Sequence, residues 1–215
     1  MEQYKKTYEG LEHLAETAGN DEKIYHRMAS VAYMCEDYEA EEQASLKILE
    51  LNPNSVEGHF LLAQSYIGRS NFVLAIAMLS KALAIDDNFF SANLLRGQAL
   101  LKIGNLSGAT SDVEILMKKM PYNEDTLLLA ARLAKAKNEL DKAIIYYNRL
   151  IDANPFSVVA LRERGSVKYE MGDKDGAEAD AKAVLEIEPN QVGDISGNYT
   201  SHGSEKIQCE LKDQQ

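Results

Sequence analysis

Histidine and cysteine are the side chains that most often bind metal ions or act as nucleophiles, and both are scarce in this chain of 215 residues. The four histidines and two cysteines are His13, His26, His59, His202, Cys35 and Cys209. They match neither the H-E-x-x-H nor the C-x-x-C pattern of zinc sites, and no Cys stands beside a His. The glycine-rich phosphate-binding patterns and the G-x-S-x-G nucleophile pattern are also missing from the sequence. We therefore expect no enzyme, no metal and no cofactor.

Adjacent carboxylates are the remaining candidates for acid–base chemistry. Two such pairs, Glu41/Glu42 and Asp86/Asp87, stand in predicted helices or turns. Charged side chains in such places are ordinarily solvated. We expect all four carboxylates to lie on solvated faces rather than in an active site.

The composition is that of an ordinary globular chain with an acidic balance. Hydrophobic residues make up 45% and charged residues 27%, and 23 Lys and Arg stand against 34 Asp and Glu, a net charge of −11. Such a chain lacks the positive field that attracts nucleic acid or anionic lipid, and no run approaches the roughly 18 apolar residues of a membrane helix. Nucleic acid and membranes are therefore not expected partners. Two cysteines are too few for a disulfide framework, which favours free thiols in the cytoplasm, or in the periplasm if a secretion signal has been removed.

Prolines repeat along the chain with a period of 34 residues. Pro53, Pro121, Pro155 and Pro189 are 68, 34 and 34 residues apart, and Asp87 takes the missing place. This period defines five consecutive blocks, 22–55, 56–89, 90–123, 124–157 and 158–191. A fixed period of this length is typical of proteins built from repeated supersecondary units.

Two positions inside the blocks indicate where helices cross. The eighth residue is small in every block: Ala29, Ala63, Gly97, Ala131 and Gly165. The twentieth residue is Glu41 in the first block and alanine in the other four: Ala75, Ala109, Ala143 and Ala177. Apolar residues on both sides of a short polar break follow helical spacing, and Gly104 and Gly172 in that break suit helix C-caps. Each block is therefore predicted to be a helical hairpin, and stacked hairpins bury apolar stripes that one hairpin cannot.

These features resemble the tetratricopeptide repeat, whose 34-residue unit has a small residue at position 8, Ala at position 20 and Pro at position 32. The resemblance covers residues 22–191 as five repeats, and the first departs from it at Glu41. It implies an all-α fold, a right-handed superhelical solenoid of helical hairpins. Residues 1–21 are expected to form an N-terminal capping helix. Residues 192–215, where the period is lost, are expected to form a flexible C-terminal tail.

The resemblance also implies where a partner would bind. In tetratricopeptide-like arrays the residues at positions 5, 9 and 12 of each first helix face a concave groove, about 100° round the helix from the packing positions. The partner-binding groove residues expected from these positions are Tyr33, Phe60, Gln64, Ile67, Leu94, Gln98, Leu101, Leu128, Arg132, Lys135, Arg162 and Tyr169.

An apolar floor with Gln and Arg side chains along it suits a peptide or protein segment that has apolar anchors. The function predicted is a non-catalytic interaction scaffold or adaptor. Two alternatives stay open: a homodimer or tail that fills the groove, and an accessory subunit that targets a separately encoded enzyme. Related co-chaperones hold a C-terminal carboxylate with a clamp of Lys, Asn and Arg. That clamp is not expected here, because the corresponding places carry His26, Ser30, Leu61, Ser91 and Leu95.

Overall fold

Eleven α-helices make up the described part of the chain. The structure, a computed structural model, describes residues 2–18 and 21–188, and no strand occurs within them. In chain order the helices are α1 (Glu2–Ala18), α2 (Glu22–Met34), α3 (Tyr38–Leu51), α4 (Val56–Gly68), α5 (Phe72–Ile85), α6 (Phe90–Lys102), α7 (Leu106–Lys119), α8 (Glu124–Ala136), α9 (Leu140–Ala153), α10 (Val158–Glu170) and α11 (Lys174–Ile187). The predicted all-α class is confirmed, while the tail predicted for residues 192–215 lies outside the described residues.

The helices belong to two compact units, Met1–Lys119 (unit 1) and Met120–Gln215 (unit 2). In unit 1, α2 packs on α3, α4 on α5 and α6 on α7, and successive hairpins meet through α3 with α4 and α5 with α6. Helix α1 packs against α2. In unit 2, α8 packs on α9 and α10 on α11, and α9 packs against α10. Each of these five hairpins falls in one predicted block, although the block boundaries and the capping role of α1 stay predictions.

The turn inside each hairpin has the same backbone conformation. One residue in each turn has a positive φ between 58° and 87°, and these residues recur every 34 positions: Glu36, Ser70, Gly104, Asn138 and Gly172. The left-handed conformation lets the chain leave the first helix while carbonyls at its end are still hydrogen-bonded. Gly104 and Gly172 adopt it without steric cost, as predicted for C-caps, whereas the other three carry a side chain there.

Small residues at the two contact positions lie in the interior of both units. All five residues at position eight are buried, and so are the four alanines at position twenty. Their small size lets helices pack closely, and larger apolar side chains fill the space around them. In unit 1, Ile24, Met28 and Ile48 form such a cluster, with Tyr8 and Leu11 of α1 packed against it.

Glu41 contradicts the expectation of a solvated carboxylate. It stands at position twenty of the first repeat and is fully buried, like the alanines at this position elsewhere. Neither of its carboxylate oxygens has a hydrogen-bond partner within the described residues. Burial disfavours the charged form and raises the pKa of Glu41 to about 8. The other predicted pair differs, because Asp86 and Asp87 are exposed as expected.

Two equivalent arginine networks, 68 residues apart, brace hairpins in the two units. In unit 1, Arg96 Nε and Nη2 donate to Asp112 at 3.0 and 2.6 Å, and its Nη1 donates to Ser80 Oγ at 3.2 Å. In unit 2, Arg164 repeats this pattern at 2.5 to 2.9 Å, with Asp180 as the carboxylate and Asn148 as the third partner. Each arginine therefore joins the second helix of its own hairpin to the second helix of the preceding one.

Candidate functional site

Seven of the twelve groove residues belong to unit 1 and lie on its first helices. They are Tyr33 on α2, Phe60, Gln64 and Ile67 on α4, and Leu94, Gln98 and Leu101 on α6. Tyr33 is 49% exposed, and the other six are partly buried. The Phe60 ring meets the Phe89 ring edge to face at 5.2 Å between centroids, and Phe60 and Ile67 pack against the core around Ala63. Phe60 and Ile67 are therefore held by packing, while both keep part of their surface exposed.

The other five groove residues belong to unit 2. Leu128, Arg132 and Lys135 lie on α8, and Arg162 and Tyr169 lie on α10, where all five are partly buried. A cavity of about 690 Å³, which we call the unit-2 pocket, brings three of them together. Its lining residues are Arg132, Lys135, Ala136, Tyr147, Val159, Arg162, Glu163, Ser166 and Glu170. Leu128 and Tyr169 are not part of this lining.

Arg132 is held in the unit-2 pocket by Glu163 and Tyr147. The Arg132 Nε lies 3.0 Å from both carboxylate oxygens of Glu163, and Nη2 lies 2.5 Å from Oε1. The Tyr147 hydroxyl donates to Glu163 Oε2 at 2.8 Å from a fully buried ring. Burial, together with the negative charge of Glu163, raises the pKa of Tyr147, so the phenol stays neutral. The hydrogen bond to Glu163 raises the pKa of Arg132, which stays charged.

Lys135 forms a second ionic contact on the same wall of the pocket. Its ammonium lies 2.7 Å from Glu170 Oε1 and donates to Ser166 Oγ at 2.9 Å. The Lys135 side chain is 34% exposed and the Glu170 side chain is 45% exposed. This pair therefore stands at the solvent side of the pocket, where a ligand can reach it.

Six residues of the pocket are not among the predicted groove residues: Ala136, Tyr147, Val159, Glu163, Ser166 and Glu170. A signal exists for Glu163, because the residue at its position in the three preceding repeats is leucine: Leu61, Leu95 and Leu129. Tyr147 likewise stands where the two preceding repeats have Leu79 and Val113. A charged side chain and a phenol at two positions that are apolar in the two preceding repeats indicate a polar pair in this part of the chain.

The described residues offer no metal site. Within residues 2–18 and 21–188, no three His, Cys, Asp or Glu side chains lie together as a metal ion would need. His59 is buried at a packing position, and burial, reinforced by the charge of Lys81, lowers its pKa. Cys35 is a partly exposed free thiol at the end of α2. Over the same ranges, every helix is too short or too polar to span a lipid bilayer.

Comparison with known proteins agrees with the repeat architecture. The family described as "Tetratricopeptide repeat" matches residues 128–192, which include the helices of the unit-2 pocket. This match covers less than half of the chain. The protein CTR9 homolog of Arabidopsis thaliana is 26% identical to it over 138 residues, 60% of this chain. The chain aligns with only 13% of the length of that relative.

Solved structures show the same fold. MamA 41-end from Desulfovibrio magneticus RS-1 superimposes with a TM-score of 0.71 at 19% identity, over 79% of this chain and 96% of MamA. YrrB superimposes with a TM-score of 0.64 at 16% identity, over 84% of this chain and 92% of YrrB. YrrB is described as a TPR protein with an unusual peptide-binding site. At these identities the likeness establishes the all-α repeat fold.

Proposed function

We propose that this chain is a non-catalytic scaffold that binds a peptide or protein segment through the first helices of its repeats. The unit-2 pocket carries the proposal, because three predicted groove residues, Arg132, Lys135 and Arg162, line one cavity of about 690 Å³. Cavities of this size accommodate ligand groups as large as a few side chains. Arginine and tyrosine are also enriched among the residues that dominate binding energies at protein interfaces.

The pocket is arranged before any partner arrives. Glu163 fixes the Arg132 guanidinium through both Nε and Nη2, and the buried Tyr147 hydroxyl fixes Glu163 in turn. A side chain that is already held in one position loses little conformational entropy when a ligand binds. Arg132 therefore supports binding better than a mobile surface arginine would.

The groove residues of unit 1 offer a different chemistry. Gln64 and Gln98 are partly buried amides that stand among Phe60, Ile67 and Leu94. Amide side chains can donate to and accept from a peptide backbone, and the apolar neighbours can contact its side chains. We propose that these residues contribute apolar and backbone contacts, while the unit-2 pocket contributes ionic ones.

A solved structure with the same fold supports the general role that we propose, which is peptide binding. YrrB shares the fold over 84% of this chain and is described as having a peptide-binding site. We extend only the general role of peptide binding to this chain. Its specificity has to follow from its own residues, since only 16% of aligned residues are identical.

Selection from a random peptide library displayed on phage tests this function. We expect wild-type protein to enrich a family of related peptides, and Lys135→Glu to abolish that enrichment, because the substitution places a negative charge beside Glu170 in the pocket. Lys142→Glu is the matched control, since it makes the same charge change at a lysine that is 65% exposed and does not line the pocket.

The controls separate binding from other roles. Equal enrichment on wild type and on both variants would place recognition outside the unit-2 pocket and contradict the proposal. Failure of the wild type to enrich any peptide, together with a molecular mass in solution that doubles with concentration, would favour the homodimer instead. Circular dichroism has to show that both variants keep the helical content of the wild type.

A further inference from the structure

We infer that the unit-2 pocket binds an acidic side chain, Asp or Glu, of a peptide partner. This inference rests on the proposed function and names the chemistry that the pocket would select. It follows from three properties of the lining residues: their net charge, the cations already paired with the two carboxylates, and the donors that remain on Arg132 and Lys135.

The pocket has a positive balance in an acidic chain. Three cations, Arg132, Lys135 and Arg162, line it together with two carboxylates, Glu163 and Glu170. Tyr147 stays neutral, because its pKa is raised. The lining thus carries one net positive charge, whereas the whole chain carries −11. This local charge favours an anionic ligand group over a cationic one.

Both carboxylates of the pocket are already paired with a cation. Glu163 accepts hydrogen bonds from Arg132 on both oxygens and from the Tyr147 hydroxyl on Oε2. A carboxylate has about four acceptor sites, so little capacity is left on Glu163 for a cationic ligand. Glu170 Oε1 forms an ion pair with the Lys135 ammonium at 2.7 Å and lies 3.5 Å from the Ser166 hydroxyl. A lysine or arginine of a partner would meet two carboxylates whose charges Arg132 and Lys135 already balance.

Arg132 and Lys135 keep donors for a new acceptor. An arginine has five N–H donors, and the bonds of Arg132 to Glu163 use Nε and Nη2, leaving the two N–H groups of Nη1 without a protein acceptor in residues 21–188. Lys135 has three donors and uses two of them on Glu170 and Ser166. A ligand carboxylate accepts from such groups in charge-assisted hydrogen bonds, which are stronger than neutral ones.

The apolar part of the lining indicates what should stand next to the acidic residue. Val159, which is 44% exposed, and Ala136 are the aliphatic residues of the pocket. An apolar side chain beside the acid in the partner sequence would cover them and remove their surface from water. The expected ligand is therefore a short segment with an Asp or Glu flanked by an apolar residue.

The equivalent place in unit 1 offers an internal contrast. Where unit 2 has Arg132, Tyr147 and Glu163, the repeats two steps earlier have Gln64, Leu79 and Leu95. No guanidinium or carboxylate stands at these three positions, although the helical frame is the same. The acidic preference should thus depend on unit-2 residues and should not change with substitutions at Gln64.

Two synthetic peptide pools test the inference by fluorescence polarisation. Both pools have the same randomised apolar positions and one fixed central residue, Glu in one pool and Gln in the other. We expect the Glu pool to bind roughly tenfold tighter or more, as a charge-assisted contact implies. The difference should shrink as salt rises, because the pair is only partly shielded from solvent.

Substitutions on opposite sides of the ion pair have opposite expected effects. Lys135→Gln should weaken binding of the Glu pool, whereas Glu170→Gln should strengthen it by about twofold to fivefold, because the pocket gains positive charge. A purely structural role for the Lys135–Glu170 pair predicts a loss from both substitutions. Lys142→Gln and Gln64→Ala are the controls and should leave the preference for Glu over Gln unchanged.

The outcomes distinguish the inference from the function on which it rests. Equal binding of the two pools, lost in Lys135→Gln, would overturn the acidic preference but keep peptide binding at this pocket. A stronger response to the Gln pool, or weaker binding of the Glu pool by Glu170→Gln, would also overturn the inference. If neither pool binds at any concentration while library selection also fails, the proposed function itself is wrong.

Discussion

Glu41 is a carboxyl at a position that the other four repeats fill with alanine. It is fully buried, and neither of its oxygens has a partner in the described residues. An ionised carboxylate there would lose its hydration without compensation, so the group stays protonated in the folded state at neutral pH, with a pKa of about 8. In the unfolded chain the same group has an ordinary pKa of 4.5 and is ionised. A single residue therefore makes the stability of the first repeat depend on pH.

We predict that the free energy of unfolding falls as pH rises from about 4.5 to 8, the two pKa values of Glu41. Below this window both states are protonated, and above it both are ionised, so the contribution of Glu41 is constant outside it. The full difference amounts to roughly 5 kcal/mol of lost stability. Glu41→Met, which keeps the volume and removes the charge, should stabilise the protein at pH 8 and flatten this dependence.

Urea unfolding at pH 5 and pH 8 measures this effect for wild type, Glu41→Met and a control, Glu39→Met. Glu39 is exposed on the same helix, so its substitution should leave the pH dependence intact. The account of Glu41 is contradicted if Glu41→Met and Glu39→Met lose equal stability between the two pH values.

At the level of the elements, the turn inside each hairpin sets where its first helix ends. The same left-handed residue recurs in all five turns, but only two of the five are glycine. The left-handed conformation costs a residue with a side chain about 1–2 kcal/mol, and asparagine tolerates it better than most. Glu36 and Ser70, with φ of 58°, therefore carry strain that Gly104 and Gly172 avoid.

We predict that Ser70→Gly raises the free energy of unfolding by about 1 kcal/mol and that Gly104→Ser lowers it by a similar amount. Both positions are exposed turns of unit 1, so no packing change accompanies either substitution. Thermal melting of the two variants beside the wild type checks the prediction. Shifts of the same sign in both variants would show that the turn conformation is not the cause.

At the scale of the whole molecule, the sequence determined the helices better than the contacts among polar side chains. Prolines and small residues repeat with a fixed period, and a small side chain at the same position of every repeat, as at Ala63 and Ala131, indicates close helix packing. Their burial was therefore predictable. Glu41 was not, because its residue type is almost always solvated, and only the packing around it shows that water is excluded.

The candidate site was predictable only in part for a related reason. Arg132, Lys135 and Arg162 followed from their positions on first helices, and the structure places all three in the unit-2 pocket. Glu163 contacts Arg132 from 31 residues away, and Tyr147 contacts Glu163 from 16 residues away. Such pairs depend on the spacing of neighbouring hairpins and on rotamers, which a periodic pattern in one chain does not specify.

Peptide binding at the unit-2 pocket is the central claim, and amide chemical-shift mapping by NMR tests it most directly. A peptide enriched by library selection is titrated into isotope-labelled protein. The account predicts that the largest shifts occur in α8 and α10, around Arg132, Lys135 and Arg162, and that Lys135→Glu removes them. Shifts confined to helices that do not line the pocket, such as α5 or α7, would contradict it.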